Sequence, residues 1–192
     1  VTWHIVRHTI IQTKTSKDVL SFWFEETTSK HWFKKDDKFD GIIRTRFEPT
    51  VTAALNEEIN EWAKSAEGCL ALIILVDQFT RNIYRDTPRA FIGDQKALSL
   101  CLQCLDRDFI KQIGKDWRRF MLMPMMHSES LSIQNRSIPL FETHTDPRTL
   151  KYAVRHRNII ERFGRFPHRN SILGRSSTYE EVKFLAQPGS SF

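Results

Sequence analysis

The chain has 192 residues, 40% of them apolar and 27% charged, with a net charge of +6. That length holds one domain with a proper core and is short for two, and the composition excludes wholesale disorder. The longest unbroken apolar run, Cys69 to Val76, falls far below the roughly 20 residues that a membrane-spanning helix needs, so no membrane span is expected.

Helical periodicity with recognisable caps runs through most of the chain. Residues 1–17 stand apart as an N-terminal extension without an apolar stretch of signal-peptide length. Ser16 or Asp18 opens a short helix carrying Val19, Leu20, Phe22, Trp23 and Phe24. Asp36 or Asp37 opens the next, in which Phe39, Ile42, Ile43, Arg46 and Phe47 recur at helical spacing. Pro49 is expected to interrupt or restart that helix, with a second stretch running from Thr50 to about Trp62. Ser65 caps a long helix reaching about Tyr84; it is apolar nearly all round, which marks it as the central one. Asp94 reads as the cap of a helix presenting Ala97, Leu98, Cys101, Leu102 and Leu105, and Asp116 as the cap of one that stops near Pro124.

The second half is punctuated more sharply. Ser128 reads as the cap of a helix through Leu131, Gln134, Ile138 and Phe141. Asp146-Pro147 starts another, which ends at Gly164, a natural left-handed C-cap. Thr178 and Glu181 form a capping box for a last short helix. No stretch alternates with period two for long. The expected fold class is all-α, about eight helices in antiparallel pairs, forming a single domain over residues 18–192.

Cys69, Cys101 and Cys104 sit where small apolar residues would serve, and the Cys101–Cys104 spacing falls inside a helical pattern with no second pair. Buried, reduced thiols and a cytoplasmic location are expected, with no metal and no cofactor.

The charge is concentrated. Between Arg155 and Arg175 lie six Arg, one Glu and no Lys, which leaves the rest of the chain close to neutral. Guanidinium offers a planar fork of donors and tolerates burial, so such a segment suits paired carboxylates or an anionic ligand. A nucleic-acid surface is not expected, because these Arg flank Glu161 and sit among apolar anchors.

Four polar segments carry the candidate chemistry. Asp77, Arg81 and Asn82 close the most apolar helix, with Asp77 and Arg81 spaced to pair on one face. His127 and Glu129 precede a helix start, where backbone N–H groups attract anions. His156 lies on a mostly apolar helix face. Arg165, His168, Arg169 and Asn170 fill a loop anchored by Phe166, Pro167, Ile172 and Leu173. Together they compose a possible pocket for an anionic small molecule, enzymatic or not; the other expectation is a helical module that binds a peptide or protein segment.

Val19–Phe24, Trp32-Phe33, Leu72–Asn82 (LIILVDQFTRN), Arg89-Ala90-Phe91, His127-Ser128-Glu129, His156–Arg175 (HRNIIERFGRFPHRNSILGR) and the ending from Thr178 resemble an uncharacterised bacterial family, domain of unknown function 924. The resemblance covers about residues 18–192. It implies an all-helical fold of the TPR-like superfamily, with a superhelix-type array of helix pairs, and no established activity. Two positions depart from the family pattern: Thr80 stands where Pro is usual, and Met125-Met126 where Phe-Glu precedes the His.

Overall fold

A computed structural model of the chain describes residues 13–32 and 34–190. Most of the expected N-terminal extension, Phe33 and the closing Ser191-Phe192 lie outside the described residues.

The chain enters on Thr15, whose side chain and Asp18 form a capping box for α1 (Ser16–Ser21), continued by a π-helical turn over Phe22–Glu26. A short α2 (Ser29–Trp32) leads to α3 (Asp37–Leu55), capped by the Asp36 carboxylate. Here one expectation fails: α3 passes straight through Pro49. The carbonyl that the missing Pro N–H would have used belongs to Thr45, an exposed residue. Phe47, Thr50, Val51 and Ala54 are fully buried on either side of the proline, and that burial outweighs one lost hydrogen bond.

The central helix forms as expected from its cap, Ser65, but in three pieces of continuous backbone: α4 (Ala66–Ile73), a π-helical segment Ile74–Phe79, and α5 (Thr80–Ile83). Every residue from Cys69 to Thr80 is buried. Around it pack α1, α3 and α6 (Asp94–Asp106), then α7 (Arg118–Met126). Helices α8 (Leu131–His144) and α9 (Pro147–Phe163) are joined by only Thr145 and Asp146, which makes them antiparallel neighbours. The chain closes with α10 (Tyr179–Leu185), held by the expected Thr178–Glu181 capping box. Among the described residues the fold is all-helical, and no helix is long and apolar enough to cross a membrane.

The main core is aromatic at its centre. The rings of Phe22, Phe47 and Phe79 meet at centroid separations of 4.9 to 5.9 Å, and Trp23 stands edge-on to Phe79 and Phe120. A second, smaller cluster of Ile159, Ile160 and Phe166 lies under α10, against Phe163 and Phe184. Cys69, Cys101 and Cys104 are free and buried, and burial pushes the Cys101 thiol well above its ordinary value.

Gly164 ends α9 at φ +70, and a Cβ there would meet nothing within 4 Å. Gly164→Ala therefore adds backbone strain alone, about 1 kcal/mol. Urea unfolding of the variant is the check; a neutral result would show that the cap relaxes without cost.

Candidate functional site

The site starts from a buried acid. Asp77 lies in the π-helical segment and is wholly inaccessible to solvent. A carboxylate there persists only if its oxygens are bonded and its charge is met. Its Oδ1 accepts from Nδ1 of His127 at 2.8 Å and from Arg81 at 3.1 Å, and Gln78 donates to its Oδ2. Arg81 also donates to the Asp77 carbonyl. Burial pushes the Asp77 carboxyl up, but Arg81, His127 and Gln78 together outweigh it and hold it well below the ordinary range.

The far side of Arg81 meets Asp94 at 2.9 Å, and the other oxygen of Asp94 accepts from Arg169 at 3.0 Å. Arg169 also donates to the His127 carbonyl at 3.1 Å, and its guanidinium lies 4.6 Å from the Phe91 centroid and 4.7 Å from that of Phe166. Asp94 was expected to cap α6. Gly93 occupies the N-cap instead, and the Asp94 side chain makes no cap bond. A Cβ on Gly93 would come 2.0 Å from the Val76 carbonyl oxygen, so glycine lets this backbone press directly onto the π-helical segment.

His127 does not precede a helix start. It is the C-cap of α7, which continues past Pro124 because Met125 and Met126 are buried, and α8 begins only at Leu131. Ser128 caps nothing; its hydroxyl accepts from the Ser130 amide. Gln134 reaches back to donate to the carbonyls of Met126 and Ser128, at 2.7 and 2.8 Å, and so satisfies the helix end. A helix C-terminus presents carbonyl groups, the reverse of the anion attraction expected here.

A second layer orders the loop after α9. Glu129 accepts the Phe166 amide at 2.8 Å and both arms of Arg175 at 2.8 and 3.0 Å. Arg175 also donates to the Asn170 side chain, which is almost fully buried and bonds Ser177 in turn. His156 donates through Nδ1 to the Tyr152 carbonyl, 2.8 Å away; its ring lies 6.3 Å from that of His127 and 5.6 Å from Phe166. His168 flanks the other side of Phe166 at 5.6 Å. Burial, with the positive potential of His127, pushes His156 down to about 3; burial and Arg169 push His168 down to about 4.

Of the residues singled out in the sequence, the structure thus gathers Asp77, Arg81, His127 and Arg169 in direct contact, with Glu129, His156, His168 and Asn170 alongside. Two are elsewhere. Asn82 donates to Asp40, which also takes the fork of Arg85. Arg165 grips Glu181 with both arms at 2.7 and 2.8 Å, tying α10 to the loop. Arg175 and Gln78, which lie in the polar segments read from the sequence, also join the site, whereas Asp94, read only as a cap, is new to it; the glycine before Asp94, able to cap in its place, is the one signal that frees that carboxylate.

The Arg-rich segment meets carboxylates of its own chain, some buried and some on the surface. Arg157 pairs with Glu161, Arg162 with Glu180, Arg165 with Glu181, Arg169 with Asp94 and Arg175 with Glu129, while Arg155 bonds the Gly189 carbonyl. Among the described residues no group of three or more His, Cys, Asp or Glu is placed to hold a metal ion.

The chain is similar to the solved structure of a protein of unknown function, ATU0120 from Agrobacterium tumefaciens: 36% identity over 89% of this chain and 96% of that one, with a TM-score of 0.85. No curated protein matches it. The family model described as "Bacterial protein of unknown function (DUF924)" matches residues 19–189. The chain belongs to that family.

Proposed function

We propose that His127 is the acid–base centre of a small-molecule site, with Asp77 as the residue that positions it. One observation carries the reading: a fully buried, ionised carboxylate holds Nδ1 of a ring whose Nε2 makes no hydrogen bond among the described residues and whose side chain is 17% exposed. An ionised carboxylate only accepts, so the neutral ring carries its proton on Nδ1 and presents a lone pair at Nε2. When Nε2 takes a proton from a bound molecule, Asp77 and the end of α7 stabilise the imidazolium. Arg81 keeps Asp77 ionised throughout.

The charges around the ring balance. Arg81, Arg169 and Arg175 face Asp77, Asp94 and Glu129. Each of these guanidiniums already makes an ion pair, so the reading rests on proton transfer at one imidazole and no longer on a cluster of arginines awaiting an anion.

A thermal-shift screen of small polar metabolites tests it. A compound at about a hundred times its dissociation constant adds roughly 2.7 kcal/mol to the stability of the wild type, a shift of several degrees. The expected hit is lost in His127→Gln, and the wild type turns it over, or deprotonates it, with a pH profile that Asp77→Asn moves. Silence across the screen, with His127→Gln altering stability alone, would overturn the proposal. The chain would then read as a cytoplasmic helical interaction module of TPR-like pairing that binds a peptide or protein segment.

A further inference from the structure

Charged side chains already paired within the fold have little to offer a ligand, so unpaired ones beside a cavity are the informative ones. Two cavities among the described residues differ in this respect. One, of about 590 Å³, lies between the end of α9 and α10, and its charges pair with each other: Arg162 with Glu180, Arg165 with Glu181. The other, of about 490 Å³, lies between the end of α6 and α8. Its apolar lining is Leu105, Ile110, Pro139 and Leu140, with His144, whose titration burial pushes down and so keeps neutral, at one end. Lys111 on its rim is held by Asp108 at 2.7 Å. Two opposite charges remain on the same rim, Asp106 from α6 and Arg136 from α8, and neither makes an ion pair or side-chain hydrogen bond among the described residues.

We propose that this groove binds a small zwitterion with an apolar tail, of the class of the free aliphatic α-amino acids. Arg136 takes the carboxylate, for which its planar fork is suited. Asp106 takes the ammonium group, and the aliphatic side chain lies against Leu105, Ile110 and Leu140. The volume falls within the range of small-molecule sites. The groove carries no excess charge once Lys111 and Asp108 are paired, and that balance fits a molecule with one charge of each sign better than a simple anion.

Amide chemical shifts of the full chain, followed by NMR, test the proposal with three probes: L-leucine, L-leucinamide (no carboxylate) and 4-methylpentanoate (no ammonium). L-Leucine is expected to shift amides within 105–111 and 136–144 and to saturate. Each truncated probe binds about tenfold more weakly or worse, the loss of one charge-assisted contact. Arg136→Gln removes the discrimination between L-leucine and L-leucinamide, and Asp106→Asn that between L-leucine and 4-methylpentanoate; both positions are exposed, so the fold tolerates them. Non-saturating shifts at millimolar L-leucine would overturn the proposal. So would equal affinity for all three probes, or discrimination unchanged in both variants.

Discussion

Arg169→Ala is expected to lower the free energy of unfolding by about 3–5 kcal/mol, the range for removing one partner of a buried ion pair. Arg169 is 6% exposed, and three separate interactions go with it. Asp94 loses one of its two guanidiniums, the His127 carbonyl loses a donor, and the aromatic faces of Phe91 and Phe166 lose the flat cation between them. Truncation to Ala also leaves a gap where the stem packed. Urea denaturation with an unchanged m-value is the measurement. Arg162→Ala is the control: Arg162 and Glu180 are both more than half exposed, and the change should stay within about 0.5 kcal/mol. A loss as small as the control's would show that Arg169 does not anchor the loop to α6.

Acid is expected to destabilise the protein well before its carboxylates titrate. His156 sits at about 3 and His168 at about 4 in the folded state, whereas an unfolded histidine titrates near 6.5. The stability these rings contribute is therefore complete above pH ~6.5. It declines as the pH falls and only the unfolded chain takes up protons, down to the folded values. Each unit of that interval amounts to about 1.4 kcal/mol per ring, so His156 alone removes about 2–3 kcal/mol by pH ~4.5. His127, His168 and Arg169 face it and would oppose its charge; Asp77 stays ionised across the window and does not contribute to the slope. Denaturation at pH 7, 5.5 and 4.5 in wild type and His156→Gln is the check, with a shallower slope in the variant. Flat wild-type stability over that window would mean that His156 is solvated and not buried neutral.

Local rules made the framework legible. The capping box at Thr178, the Asp146-Pro147 start, the Gly164 stop and the all-round apolarity of residues 69–76 each depend on neighbours in sequence. They form as expected. Pro49 and Pro124 misled because tertiary burial on both sides of each proline outweighed one missing hydrogen bond. The residue types of the site were visible too, but their partners were not. Glu181 lies 16 positions from Arg165, Glu129 lies 46 from Arg175, and Asp94 lies 75 from Arg169. Nothing local joins them. His127 was misplaced because Ser128 has the chemistry of an N-cap, whereas the helix end is set by Gln134 reaching back from α8.

The π-helical segment Ile74–Phe79 gives the central helix a removable unit of length. A π-helical turn holds one residue more than an α-helical turn, so one residue fewer here would let α4 and α5 join as a regular helix with both halves kept in place, while the side chains of the segment itself change direction. The apolar residues of the segment would tolerate that change, since residues on every side of this helix are buried and mostly aliphatic. Asp77 would not, because its bond to His127 depends on one direction. A single-codon deletion would therefore break the Asp77–His127 contact and leave a folded scaffold, and a single-codon insertion would restore it. The length of the stretch from Ser65 to Asp94 would then sort relatives that keep this contact from those that keep only the frame.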